Sequence, residues 1–170
     1  MINNLKIVLI RFLAFILALS NLSCNDISSY DIIIVGGGTS GVVSAIQSSR
    51  MGSKTLLIEE SNWLGGMITS AGVSAMDGNY KMPSGFLKEF RDSLVSHYGN
   101  LDSLKTGWVS NLMFEPSVGN KILKEIAQSE KNLKILYGTI IEEVVKDEKF
   151  KIKINQNDIT YNSTILIDAT

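Results

Sequence analysis

The stretch "YDIIIVGGGTSGVVSAIQ", residues 30–47, decides the fold. Ile32 to Val35 is a continuous aliphatic run closed by glycines, the pattern of a strand buried on both faces. Gly41 to Met51 then carries small and apolar residues at helical spacing, and Gly52 ends the helix. The segment "SKTLLIEE" supplies a second short buried strand. Strand, helix and strand within about 30 residues make a βαβ unit. The expected fold class is α/β with a parallel sheet.

The turn between strand and helix carries the chemistry. Gly36-x-Gly38-x-x-Gly41 fits a dinucleotide fingerprint. In it Gly36 allows the tight turn, Gly38 lets the backbone approach a pyrophosphate, and Gly41 lets helix and strand pack closely. A helix starting near Thr39 points unpaired amides and a favourable dipole at the phosphates. Alone the glycine pattern is weak, because glycine-rich turns are common. Here it follows a strand, opens a helix and is followed about 20 residues on by an acid, Glu59, at the end of the second strand. Such an acid binds ribose hydroxyls and disfavours a 2′-phosphate, which leaves NAD and FAD.

The later chain separates those two. Residues 61–116 hold glycines, aromatics and an amphipathic helix, "SGFLKEFRDSLVSHY", with Phe86, Phe90 and Leu94 on one face. Pro116 opens a second helix, in which Ile122, Leu123 and Ile126 are apolar on one side. Short β-rich segments follow: "LKILYG", "TIIEEVVKD", "KFKIKINQ", "DITYN" and "STILIDAT". They read as a β-meander that returns to a final buried strand, Ile165 to Asp168. A plain NAD domain would continue with another helix and a parallel strand within a few tens of residues. The long excursion and the meander favour FAD.

At "ESNWLGGMITSAGVSAMDGN", residues 60–79, the sequence resembles a family of FAD-dependent oxidoreductases of the glutathione-reductase-like flavoprotein superfamily. The blocks "DIIIVGGGTSGVVSAI", "LLIEESNWLGGM", "GVSAMDGN", "FEP" and "ILIDAT" stand in the family's order over residues 30–170. The resemblance implies a Rossmann-like FAD-binding domain with an inserted segment at 67–116. It also implies that Gly36, Gly38, Thr39, Ser40 and Gly41 hold the FAD pyrophosphate and Glu59 the adenosine ribose. Gly65, Gly66 and Met67 would then run along the cofactor toward the flavin, and the backbone of Ile141 would pass the adenine. Paired glycines let a main chain approach a ligand that a side chain would block. In the family "ILIDAT" leads into a glycine and later a "GD" segment. The expectation is therefore an N-terminal part of a longer flavoprotein, incomplete at its C-terminus.

The expected activity is hydride transfer between flavin and a small-molecule substrate, with no catalytic residue identified. The alternatives are an NAD-dependent dehydrogenase and a non-catalytic envelope binding protein that keeps the nucleotide fold.

The N-terminus raises a separate expectation. In "MINNLKIVLIRFLAFILALSNLSC" two basic residues, Lys6 and Arg11, precede the apolar run from Phe12 to Leu19, and small residues follow. This is the layout of a secretory signal over residues 1–24, with 25–29 as a linker. The rival reading is a buried first element. Cys24, the sole cysteine, sits where a bacterial lipoprotein signal ends, although Asn21 stands where that pattern has an aliphatic residue. Export to the periplasm or cell envelope follows, with membrane attachment through a lipidated Cys24 or with Cys24 as an incidental thiol. No twin-arginine signal accompanies it.

A formal net charge of −1 gives no basic footprint, so nucleic acid is not an expected partner. One cysteine and one histidine exclude a CxxC pair and a histidine metal cluster, so no metal is expected. His97 reads as a solvated helix end. Asp77, in "AMDGN", could approach the flavin or simply make a turn. Glu142 and Glu143 read as ordinary strand acids, and Trp63 and Trp108 as packing residues.

Overall fold

The computed structural model describes residues 27–170 apart from 79, 109 and 156–158. The signal, Cys24 and the start of the linker lie outside the described residues. Strand β1 (Ile27–Val35) leads through helix α1 (Thr39–Arg50) to β2 (Thr55–Ile58). Helices α2 (Gly85–Tyr98) and α3 (Pro116–Ser129) follow, then β3 (Leu133–Leu136), β4 (Ile141–Lys146), β5 (Phe150–Ile154) and β6 (Thr160–Asp168).

Among the described residues the six strands hydrogen-bond in one sheet, ordered β3-β2-β1-β6-β5-β4. The β1–β2, β2–β3 and β1–β6 pairs are parallel, and the β4–β5 and β5–β6 pairs antiparallel. The α/β class and the Rossmann-like parallel sheet are as expected.

Three details differ from the sequence reading. Residues 27–29, expected in a linker, are strand and pair with Thr160, Tyr161 and Asn162. "LKILYG", grouped with the meander, is instead the outer parallel strand beside β2. "DITYN" and "STILIDAT" fuse into one strand whose first half is paired on both sides, by β1 and β5.

The helices cover one face. Ile34 and Leu57 join Val42, Ala45 and Ile46 of α1, Phe90 and Leu94 of α2, and Ile122 and Leu123 of α3. Helix α1 buries positions 41, 42, 45, 46 and 49, one stripe at helical spacing. Pro116 starts α3 because a first-turn residue needs no amide donor, and Gly99 (φ 92°) stops α2. The alternate residue of β1, Ile33, faces the other way, where it joins Leu56, Ile58, Tyr161 and two residues of β5, Ile152 and Ile154. Residues of the parallel and antiparallel strands thus share a second apolar cluster on that face. Each fully buried aliphatic side chain in these layers contributes about 1.5–3 kcal/mol. Among the described residues no helix is long and apolar enough to cross a membrane.

Candidate functional site

The chain steps outward from β1 to β2 and β3, then returns to the opposite side of β1 as β6. Open α/β sheets bind ligands at that reversal, outside the carboxyl ends of the strands. A cleft of about 490 Å³ opens there. Val35 and Gly36 line it from β1, Ile58 and Glu59 from β2, and Ala169 and Thr170 from β6.

The first wall is the glycine loop. Gly36 has φ +95°, and a Cβ there would lie 2.6 Å from the carbonyl oxygen of Ala169. A Cβ on Gly41 would lie 1.9 Å from the Gly36 carbonyl oxygen, so only glycine lets α1 start this close to β1. Gly38 is the N-cap, with extended backbone (ψ 175°) and no side-chain capping bond. The first-turn amides of α1, beginning with Thr39, Ser40 and Gly41, therefore form a donor set suited to an anion.

The second wall is the turn after β2. Gly65 (φ +106°) and Gly66 (φ +52°) are both left-handed. Gly65 donates its amide to the Gly37 carbonyl at 2.8 Å, and Thr39 Oγ1 donates to the Gly65 carbonyl at 2.8 Å. Gly38 and Gly65 form an isolated parallel bridge, and a Cβ on Gly66 would sit 3.0 Å from Gly38 Cα. Two glycine turns far apart in sequence are thereby joined into one floor.

Glu59 sits between them, only 9% exposed. Its Oε2 accepts from the Gly37 amide at 2.5 Å and its Oε1 from the Ser61 amide at 2.8 Å. A carboxylate has about four acceptor positions, so two remain for a ligand on the cleft side. Nearby, burial pushes the Tyr137 phenol above its ordinary range, and the charge of Glu59 adds to the effect. At the β6 end, Asp168 Oδ1 accepts from both the amide and the hydroxyl of Thr170. The hydroxyl bond first, then the amide bond, holds that exposed carboxyl below the usual carboxylate range.

Of the predicted site residues, Gly36, Gly38, Glu59, Gly66 and Ile141 line the cleft. Thr39 and Gly65 stand just behind it, bonded to each other, and Gly41 lies beneath the loop. Ser40 is exposed on the first turn of α1, and Met67 is 68% exposed on the short helical turn Gly66–Ile68. Sequence reasoning missed Ser61, Ser70, Thr139 and Ile140, which also line the cleft. Gly138 and Thr139 donate amides to the carbonyls of Ser61 and Glu59, so the β3 exit is sewn to the β2 exit. The "YG" pair before Thr139 signals that turn but not its partner.

The remaining candidates lie apart from the cleft. Asp77 is exposed beside the bend at Gly78 (φ +83°), and His97 is exposed in the last turn of α2, its ring edge-on to Tyr98. Glu142 pairs with Lys153 at 3.4 Å on the antiparallel strands, and Glu143 is exposed. Trp63 is half-buried, but Trp108 is 97% exposed, which corrects its reading as a packing residue. No group of three or more metal-ligating side chains occurs among the described residues.

The fit to FAD is favourable on this geometry: an uncapped helix start for the pyrophosphate, a half-satisfied carboxylate for the ribose, and a side-chain-free floor for the chain of the cofactor. Solved structures share the fold. L-proline dehydrogenase from P. horikoshii superposes with a TM-score of 0.51 at 21% identity, over 85% of this chain and 23% of its own. Bacillithiol disulfide reductase from Staphylococcus aureus gives 0.52 at 23% identity, over 84% and 38%. Halogenase PltM, solved with phloroglucinol and FAD, gives 0.57 at 13% identity, over 83% and 34%. The chain thus spans less than two fifths of the length of each. The model of a family described as FAD dependent oxidoreductase matches residues 31–170. That match selects FAD between the two dinucleotides that the acid leaves open, and the chain belongs to the FAD dependent oxidoreductase family.

Proposed function

We propose that this chain is the dinucleotide-holding part of an oxidoreductase that exchanges a hydride between flavin and a small-molecule substrate. The observation that carries the reading is the convergence of the Gly36–Gly41 loop, the Gly65–Gly66 turn and Glu59 on one cleft at the sheet's switch point. When bound, FAD supplies the hydride acceptor or donor, while the protein supplies orientation and electrostatics.

The chain's own residues divide the work of holding it. The α1 first-turn amides of Thr39, Ser40 and Gly41 and the Ser40 side chain would hold the pyrophosphate, with Gly36, Gly38 and Gly41 leaving room for it. The two free acceptor positions of Glu59 would take the ribose hydroxyls. The bare backbone of Gly65 and Gly66 would run beside the cofactor, with Met67 toward the flavin, and the Ile141 backbone would border the adenine. The layout of residues 1–24 supports export to the periplasm or cell envelope, with Cys24 as the lipid-bearing residue.

The test is the visible absorption of the purified protein, followed by anaerobic addition of candidate substrates. The expected result is a yellow protein that releases FAD on denaturation and is bleached by its substrate. A protein that takes up neither FAD nor NAD overturns the reading in favour of a binding protein without turnover.

A further inference from the structure

The Gly65–Gly66 turn is shaped from outside the cleft as well as from within it. Leu64, fully buried, is the residue that delivers the chain into this turn. Its amide donates to Asn120 Oδ1 on α3 at 2.9 Å, and its carbonyl accepts from Thr69 Oγ1 at 2.5 Å. One helical turn further along α3, Lys124 Nζ donates to the Asn62 carbonyl at 2.6 Å. Asn120 and Lys124 are four residues apart, so they share a face of α3 and meet the same extended segment. A buried amide without a partner is costly, and neither β2 nor α1 offers one to Leu64.

We propose that Asn120 is a positioning residue for the cofactor cradle: it fixes the Leu64 amide, and through it the left-handed Gly65 that pairs with Gly37 and Thr39. Asn120 does not line the cleft, so its effect on a ligand passes entirely through that turn. Holding the turn in its binding geometry beforehand removes an ordering cost that FAD would otherwise meet on binding. This inference rests on the FAD reading above.

The experiment compares FAD binding, by quenching of flavin fluorescence, in the full protein and its variants Asn120→Leu and Asn120→Asp. Leucine has similar size but cannot accept a hydrogen bond, whereas aspartate can. Asn120→Leu is expected to weaken FAD binding roughly tenfold and to speed amide exchange at Leu64 and Gly65. Asn120→Asp is expected to stay within about threefold of the wild type. Should Asn120→Leu not fold, Asn120→Ala carries the same comparison. Equal binding by the wild type and the leucine variant, or equal loss in the aspartate and leucine variants, overturns the proposal alone. A wild-type protein that binds no FAD overturns the cofactor reading and this inference together.

Discussion

The two glycine turns at the cleft reach the same end by different means. The Gly36–Gly41 loop is fixed locally: a strand enters it, a helix leaves it, and Gly36 and Gly41 admit no side chain between them. The Gly65–Gly66 turn has no such frame. It is held by Thr39 and Gly37 on one side and by Asn120 and Thr69 on the other. The first is built by covalent neighbours and steric exclusion, the second by side chains recruited across the fold. Damage to the first should therefore cost structure, and damage to the second should cost binding before structure.

The largest expected effect breaks the local turn. Gly41→Val forces a branched side chain into a space where even a Cβ falls 1.9 Å from a backbone oxygen. It should lower unfolding free energy by about 3 kcal/mol or more in urea titration. Next comes the carboxylate shared by both turns. Glu59→Gln keeps one acceptor oxygen and turns an NH₂ toward a backbone donor, which leaves the Gly37 or Ser61 amide unpaired. Stability should fall by about 1–3 kcal/mol, and FAD affinity should fall with it.

The remote turn is tested more gently by Thr39→Val, which removes only the bond to the Gly65 carbonyl. About 1 kcal/mol is expected in FAD binding by calorimetry, with a smaller change in the melting temperature. The smallest effect belongs to a contact that touches neither turn. Arg50 donates to Glu89 on α2 and to Glu130 beyond α3, tying three helices together at the surface. Its side chain is about one third exposed, so Arg50→Met should cost only about 0.5 kcal/mol. The bond from Arg50 is the largest effect on Glu89 and lowers its ionisation below the ordinary carboxylate value. The sign follows: this contribution is present above the unfolded carboxylate pKa and disappears as pH falls through the lower folded value. Urea midpoints of wild type and Arg50→Met should converge in acid.

The same contrast explains what could be read from the chain. The βαβ unit and the glycine loop were legible because their signals are local: an aliphatic run, a stop at glycine, an acid at the next strand's end. The partner of "LKILYG" was not, because a short apolar strand has the same pattern beside a parallel or an antiparallel neighbour. Only the crossover through α3 places it next to β2. "DITYN" and "STILIDAT" read as separate segments, yet Asn162 and Ser163 at their junction each pair on both sides within β6. Asn120 was not singled out, since nothing local marks its bond to an amide 56 residues away. Trp108 misled in the other direction, because aromatic size predicts burial only when the fold offers a place.

The most direct test of the central claim, that FAD occupies the cleft between the two glycine turns, is amide hydrogen exchange of the purified protein with and without FAD. The account predicts slower exchange at Thr39, Ser40 and Gly41, and across residues 59–66 and 139–141, with α2 unchanged. Protection that spares the Thr39–Gly41 amides while FAD is bound would contradict it.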